Sequence, residues 1–405
     1  MAAPFPSRVG SRRWIASLAA MTAIVAMSID TSLPAQPELA RVFDVAPDTA
    51  ALTLSLFIAG FAGAQLVTGY LSDALGRRRV LVVGLGLFSA AGAACALAPS
   101  MGALIAFRVL AGVTAAAPPV VARAMVRDTQ PAAAAARLLS AMLAVMAVAP
   151  MVAPLIGGAV LELAGWRAVF GVLATLGAVL FVHAQLTLAE TLEAHQRRTP
   201  SLRGLFAAYG TFLSTPGIRF PVLIGCASFA GQFAWIADSP FVFKTHYGVS
   251  SFAFALYFGG TALALIASSI TGGRLLARGR SPRRMVLAGT VFLAAGGLGA
   301  AAMTQLTDLG IAGFMPPLVL YFIGIGLASP SAMAMAMEPV PEIAGTASSV
   351  VGFASMAAGS LSGYLTTKLG GDSPRGFTTV LAAMGVLALV LALGARHATR
   401  TGRGA

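Results

Sequence analysis

Gly69-Tyr-Leu-Ser-Asp-Ala-Leu-Gly-Arg-Arg-Arg79 separates two uncharged apolar runs, residues 50–71 and 80–98. A related stretch, Gly272-Gly-Arg-Leu-Leu-Ala-Arg-Gly-Arg280, separates runs 250–272 and 284–303. In both copies the framing glycines, Gly69 with Gly76 and Gly272 with Gly279, stand seven apart. A single arginine-rich turn is what any cytoplasmic connection between membrane helices collects. Two copies at corresponding positions point to a chain built from two related halves.

Working outward, the same arrangement holds along the whole chain. Of 405 residues, 27 are Lys or Arg and 14 are Asp or Glu, so 10% are charged and 58% are hydrophobic. Soluble domains carry about 25% charged residues, so these charges are too few to clothe a water-facing surface. A bilayer span takes roughly 20 residues. Apolar stretches of that order occur at 15–36, 50–71, 80–98, 102–122, 136–160, 167–187, 219–241, 250–272, 284–303, 312–337, 344–366 and 376–395. Helices are expected, because backbone in hydrocarbon must satisfy its own hydrogen bonds and a barrel would show short alternating segments. The longest polar interval, 188–218, contains Glu190, Glu193, His195, Arg197, Arg198 and Pro200 and divides six runs from six. The expected fold class is an all-α polytopic membrane protein with twelve transmembrane helices. Two six-helix bundles, 1–187 and 219–405, are joined by a cytoplasmic linker over 188–218.

A net charge of +13 would fit nucleic acid if read alone. Position removes that reading. With the N-terminus inside, Arg8, Arg12, Arg13, Arg77–Arg79, Arg123, Arg127, Arg137, Arg197, Arg198 and Arg203 fall on the cytoplasmic face. Arg274, Arg278, Arg280, Arg283, Arg284, Arg396, Arg400 and Arg403 join them there, whereas Arg41, Arg167, Lys244, Lys368 and Arg375 fall outside. This positive-inside excess places both termini in the cytoplasm, and anionic lipid on that face is a further partner for the basic side chains. The first run is long for a signal peptide and contains Asp30, with no convincing cleavage site. Cys95 and Cys226 lie in separate runs and form no ligand cluster, so neither a structural disulfide nor a metal site is expected. Without a nucleophile–base pattern or a phosphate-binding glycine loop, the sequence reads as neither an enzyme nor an ATP-driven pump.

The charges left inside the apolar runs are the candidates for function. Asp30 lies about fifteen residues, roughly 22 Å of helix, along the first run. An ionised carboxylate there costs several kcal/mol, so one reading is a group that gains and loses a proton during transport. The other places it at the wetted outer end of a shorter helix, capping the Pro34 region. Arg108, in the fourth run, is either a bundle-facing cation that stabilises a carboxylate or a snorkelling structural arginine. Asp73 and Arg77, four apart, can pair on a helix, and Asp128 beyond the fourth run is a second partner for Arg77, giving an inner gate. Pro150 and Pro154 favour a kink in the fifth run, and Gly157 and Gly158 permit close helix contact. Asp238 and Glu338 read as boundary residues. Phe229, Phe233, Trp235 and Tyr257, with Asp238, are the candidate substrate path, and Met333-Ala-Met-Ala-Met337 is a flexible apolar surface.

Gly69–Arg79, Arg108-Val-Leu-Ala-Gly112 and Pro154-Leu-Ile-Gly-Gly158 together resemble the major facilitator superfamily. They match its loop-two, fourth-helix and fifth-helix antiporter motifs. Ser28-Ile-Asp-Thr-Ser-Leu-Pro-Ala-Gln-Pro37 is similar to the first-helix signature of the Bcr/CflA drug-resistance transporters, and Arg123–Asp128 and Ala344–Ser349 extend the match. The resemblance implies the major-facilitator fold, an inner-membrane location in a bacterium, and export of drug-like compounds in exchange for protons. It implies Asp30 and Arg108 for proton coupling, Asp73, Arg77 and Asp128 for the inner gate, and Pro154, Gly157 and Gly158 for the antiporter motif. Ala149 and Ala153 stand where that motif often has glycine, and Leu276 replaces the acid equivalent to Asp73 in the second half. The expected activity is proton-driven export of amphipathic or cationic small molecules, antibiotics included, with no cofactor beyond the proton gradient. The partners are cargo, protons and lipid, without nucleic acid, and the unit is a monomer. Export of an amino acid, siderophore or other metabolite is the alternative within transport, and a non-transporting membrane sensor is the alternative outside it.

Overall fold

The computed structural model describes residues 9–192, 202–215, 217–307, 309–339, 344–370 and 373–401. Glu193, His195, Arg197, Arg198, Pro200, Arg8 and Arg403 lie outside the described residues. So do the side chains of Arg12, Arg137, Arg203, Arg396, Arg400 and residues 344–348. Among the described residues all regular structure is helical.

The chain divides into two compact units, Met1–Val45 with Leu52–Ser201, and Ala46–Ala51 with Leu202–Ala405. Apart from the first turn of α3, the first holds α1 (Arg12–Asp30), a 3-10 turn (Leu33–Ala35), α2 (Gln36–Val42), α3 (Pro47–Leu75), α4 (Arg77–Ala96), α5 (Met101–Ala115), α6 (Ala117–Thr129) and α7 (Ala132–Thr187). The second holds α8 (Leu202–Ser214), α9 (Arg219–Phe241), a π turn (Val242–His246), α10 (Ser251–Ala277), α11 (Pro282–Leu306), α12 (Gly310–Met337), α13 (Ala344–Gly370) and α14 (Pro374–Thr401).

Ten stretches among the described residues are long and apolar enough to cross a membrane. One joins α1, the 3-10 turn and α2, and another joins α5 to α6. Within the 56-residue α7, Gly165 takes φ 76° and ψ 177°, dividing the expected spans 136–160 and 167–187. With that division and the 27-residue α13, the membrane-length segments number twelve among the described residues. Helix α7 continues through both Pro150 and Pro154, and the non-helical dihedral within it falls at Gly165.

Local sequence sets several helix starts. Ser11, Ser100 and Ser250 accept hydrogen bonds from the backbone N–H three residues on, at 3.2–3.3 Å, and so cap α1, α5 and α10. The repeat reappears in the backbone: Gly76 has φ 98° and Gly279 φ 81°, a region open to glycine and costly for a side chain. Around Gly279, its own N–H reaches the Leu276 carbonyl and the Arg280 N–H the Leu275 carbonyl, closing α10 with a glycine cap. Val83, Leu87, Val179, Val182, Leu298 and Val390 stand exposed along the helices, a surface that lipid solvates better than water does.

Candidate functional site

The first span breaks where its carboxylate sits. Helix α1 ends at Asp30, and the Ser32 hydroxyl folds back on the carbonyls of Ser28 (3.2 Å) and Ile29 (2.8 Å). Such local hydrogen bonds compete with continued helix, and Pro34 and Pro37 then restart the chain as the 3-10 turn and α2. Asp30 is therefore at a helix end, as the shorter-helix reading expected, but it is only 4% exposed rather than wetted. Among the described residues its carboxylate has no hydrogen-bond or ion-pair partner. The neighbouring Thr31 hydroxyl is likewise buried and unpartnered among them.

Arg108 reaches this break from α5. It is 1% exposed, and its guanidinium donates to the Ser28 hydroxyl (3.0 Å), the Ser28 carbonyl (3.4 Å) and the Thr53 carbonyl (3.1 Å). Phe57 lies 4.3 Å beneath it and Phe170 5.7 Å away, presenting aromatic faces to the cation. The Ser28 carbonyl belongs to the last turn of α1, where carbonyls lack helical donors and the dipole favours positive charge. Arg108 thus caps α1 and is held by neutral groups; it forms no ion pair with Asp30. Gln36 on α2 bridges to the Thr53 hydroxyl at 3.0 Å, tying the restarted helix to α3.

The antiporter-motif residues meet the same break. A Cβ on Gly157 would stand 2.0 Å from the Thr31 carbonyl, so α7 presses its glycine directly on the residue after Asp30. Pro154 and Gly158 are buried beside it, and Pro150 is half-buried one turn earlier. A Cβ on Gly112, one turn beyond Arg108, would stand 2.0 Å from the Phe57 carbonyl, which sets the close approach of α5 to α3.

At the other end of the unit, Arg77 joins Asp73, Asp128 and Ser72. Its Nε donates to Asp128 at 2.8 Å, and Nη1 donates to the Ser72 hydroxyl at 2.7 Å and to the Asp73 carboxylate. Arg77 is 8% exposed, and the Asp73 and Asp128 side chains are 46% and 19% exposed. Glu190, read from sequence only as part of the polar interval, caps α4 by accepting the backbone N–H groups of Arg77 (2.9 Å) and Arg78 (3.2 Å). Arg78 reciprocates by donating to the carbonyls of Leu188 and Gln185, both at 2.7 Å. Both ion pairs among the described residues belong to this cluster, and none forms at the second copy of the repeat, where Leu276 replaces the acid.

In the second unit the candidate path residues are packed together rather than laid along a surface. Trp235 is fully buried, with Phe243 and Phe377 each at 5.6 Å, Phe258 at 6.2 Å and Phe322 at 6.5 Å. Phe229 stacks on Phe233 at 6.1 Å. Asp238, near the end of α9, is fully buried, whereas Glu338 is exposed at the end of α12. Tyr257 is 37% exposed, with its ring 5.2 Å from Phe243. The indole N–H of Trp235 and the hydroxyl of Tyr321 are buried without partners among the described residues.

The sequence profile of the Major Facilitator Superfamily matches residues 18–363. The chain is 33% identical over 352 residues to the uncharacterized MFS-type transporter YdgK of Bacillus subtilis, covering 86% of this chain and 87% of that one. It is 26% identical over 381 residues to the bicyclomycin resistance protein homolog of Haemophilus influenzae, covering 93% and 94%. Among solved structures, the D-xylose-proton symporter superposes with a TM-score of 0.76 at 17% identity, covering 94% of this chain and 97% of that one, a likeness of fold. The chain is an integral membrane transporter of small molecules rather than an enzyme, and it belongs to the Major Facilitator Superfamily.

Proposed function

We propose that this protein is a proton-coupled antiporter that exports small amphipathic or cationic drug-like compounds, antibiotics among them. It acts as a monomer in the bacterial inner membrane, with both termini cytoplasmic and no resident cofactor. The observation that carries this reading is the buried Asp30 carboxylate at the break between α1 and α2, unpartnered among the described residues. Arg108 is committed to Ser28 and Thr53, so the charge of Asp30 is left to be balanced by what enters the site.

Either a proton or a cationic cargo balances it. When cargo binds from the cytoplasmic side, Asp30 gives up its proton; when the site opens outward, a proton displaces the cargo. Competition of this kind, linked to two states that bind proton and cargo differently, is sufficient for exchange. The close seat of Gly157 on Thr31 ties α7 to the same turn, so a movement of α7 is felt at Asp30. In this reading Asp73, Arg77 and Asp128 hold the inner gate, Pro150, Pro154, Gly157 and Gly158 shape the helix against the break, and Phe229, Phe233, Trp235, Asp238 and Tyr257 belong to the cargo path.

The reading is tested by proton flux in proteoliposomes supplied in turn with antibiotics, cationic dyes, amino acids and siderophores. Proton movement opposite to cargo, driven by antibiotics or dyes, is expected. Flux driven only by amino acids or siderophores contradicts drug export, and no flux with any compound contradicts transport by antiport.

A further inference from the structure

At the end of the second unit that carries the start of α9 and the end of α14, a cavity of about 730 Å³ opens among α8, α9, α11, α12 and α14. Among the described residues its charged lining is Arg219, Arg283 and Glu338, and its apolar wall includes Phe220, Ile224 and Met335. The volume lies in the range of small-molecule sites. Arg219 opens α9 and Arg283 stands in the first turn of α11, where the positive helix end makes a cation unfavourable. Among the described residues neither arginine has an ion-pair or hydrogen-bond partner. A general excess of cytoplasmic arginine explains their side of the membrane but not their convergence on one cavity with an apolar wall.

We infer that this cavity binds the headgroup of an anionic phospholipid from the bilayer, with the phosphodiester between Arg219 and Arg283 and the acyl stems on Phe220, Ile224 and Met335. Among the described residues, two cations against the acid Glu338 leave one positive charge, which a phosphodiester balances. The apolar wall favours an amphiphile over a free anion, and basic pockets between membrane helices suit acidic headgroups. The site is separate from Asp30 and Arg108, which belong to the first unit, and it does not depend on the direction of transport.

The test uses the full-length protein, purified in mild detergent and stripped of lipid. It is titrated with phosphatidylglycerol, phosphatidylcholine or inorganic phosphate while intact-complex mass and the thermal unfolding midpoint are followed. Retention of phosphatidylglycerol well above phosphatidylcholine, with a raised midpoint, is expected. Arg219→Ala with Arg283→Ala lowers that affinity by about tenfold or more, as expected for two cations near an acidic headgroup. Arg278→Ala with Arg280→Ala, which removes equal charge from an exposed loop outside the cavity, leaves it unchanged. Should the alanine pair fail to fold, Glu338→Gln decides the matter, because removing this acid must tighten binding of phosphatidylglycerol. Equal retention of phosphatidylcholine, equal loss in the loop pair, displacement by millimolar phosphate, or unchanged or weaker binding in Glu338→Gln each overturns the assignment.

Discussion

Arg108 on α5 holds both the hydroxyl and the carbonyl of Ser28, at 3.0 and 3.4 Å, two residues before the end of α1 at Asp30. The buried cation thereby fixes the position of the helix end without neutralising the carboxylate beside it. An ion pair would spend the charge of Asp30 on Arg108; a cap leaves that charge available to a proton or a cargo cation.

Arg108→Lys tests the geometry of this cap. Lysine keeps the charge but is a compact ammonium without the planar fork that spans Ser28 and Thr53. Transport is expected to fall at least tenfold while the protein still inserts and folds. Arg108→Met removes all three hydrogen bonds of the guanidinium, and since bonds to a charged group are worth about 1.5–3 kcal/mol, a lowered thermal midpoint is expected. Full activity in the lysine variant contradicts the capping role.

The seat of α7 on the break predicts a contrast between two glycines of one helix. Gly157→Ala places a methyl 2.0 Å from the Thr31 carbonyl, and overpacking of this kind costs about 1–3 kcal/mol. A Cβ on Gly171 meets nothing within 4 Å, so Gly171→Ala is neutral or stabilises by up to about 1 kcal/mol through helix propensity. Thermal unfolding of the two variants should move in opposite directions or differ clearly in size, and transport should fall in Gly157→Ala alone. Equal midpoints contradict the contact.

The Arg77 cluster predicts a ranking. The Asp128 side chain is 19% exposed and Asp73 46%, and an exposed pair is worth little, about 0–1 kcal/mol. Asp128→Ala is therefore expected to destabilise more than Asp73→Ala, with the larger coupling to Arg77 in a double-mutant cycle. Glu190→Gln keeps an acceptor but removes the charge at the start of α4, costing about 0.3–1 kcal/mol. A reversed order of the two aspartates contradicts the placement of Arg77.

Much of this is legible in the sequence. The Gly69–Arg79 repeat carried the two-part organisation because positive φ at Gly76 and Gly279 demands glycine. Asp30 and Arg108 stand out because charge in hydrocarbon is costly and so rarely idle, and Arg77 because Asp73 stands four residues before it. What hid were the neutral partners. Ser28, Thr53, Phe57 and Phe170 are ordinary in a membrane helix, and nothing in their spacing tells that they converge on one guanidinium. Glu190 lay in a polar interval where any carboxylate looks solvated, and its role follows from a chain path that returns to α4 after 112 residues. That α7 divides at Gly165 itself is hidden, because a lone glycine gives no sign that it adopts a left-handed φ, which glycine does at little cost.

Asp30→Asn in proteoliposomes bears most directly on the exchange mechanism. The amide keeps the size of the side chain and removes its proton chemistry, so the variant is expected to fold with an unchanged thermal midpoint. Imposed proton gradients should no longer drive cargo accumulation, and cargo should no longer release protons. Normal gradient-driven accumulation by a correctly folded Asp30→Asn protein would contradict the assignment of Asp30 as the proton-carrying group.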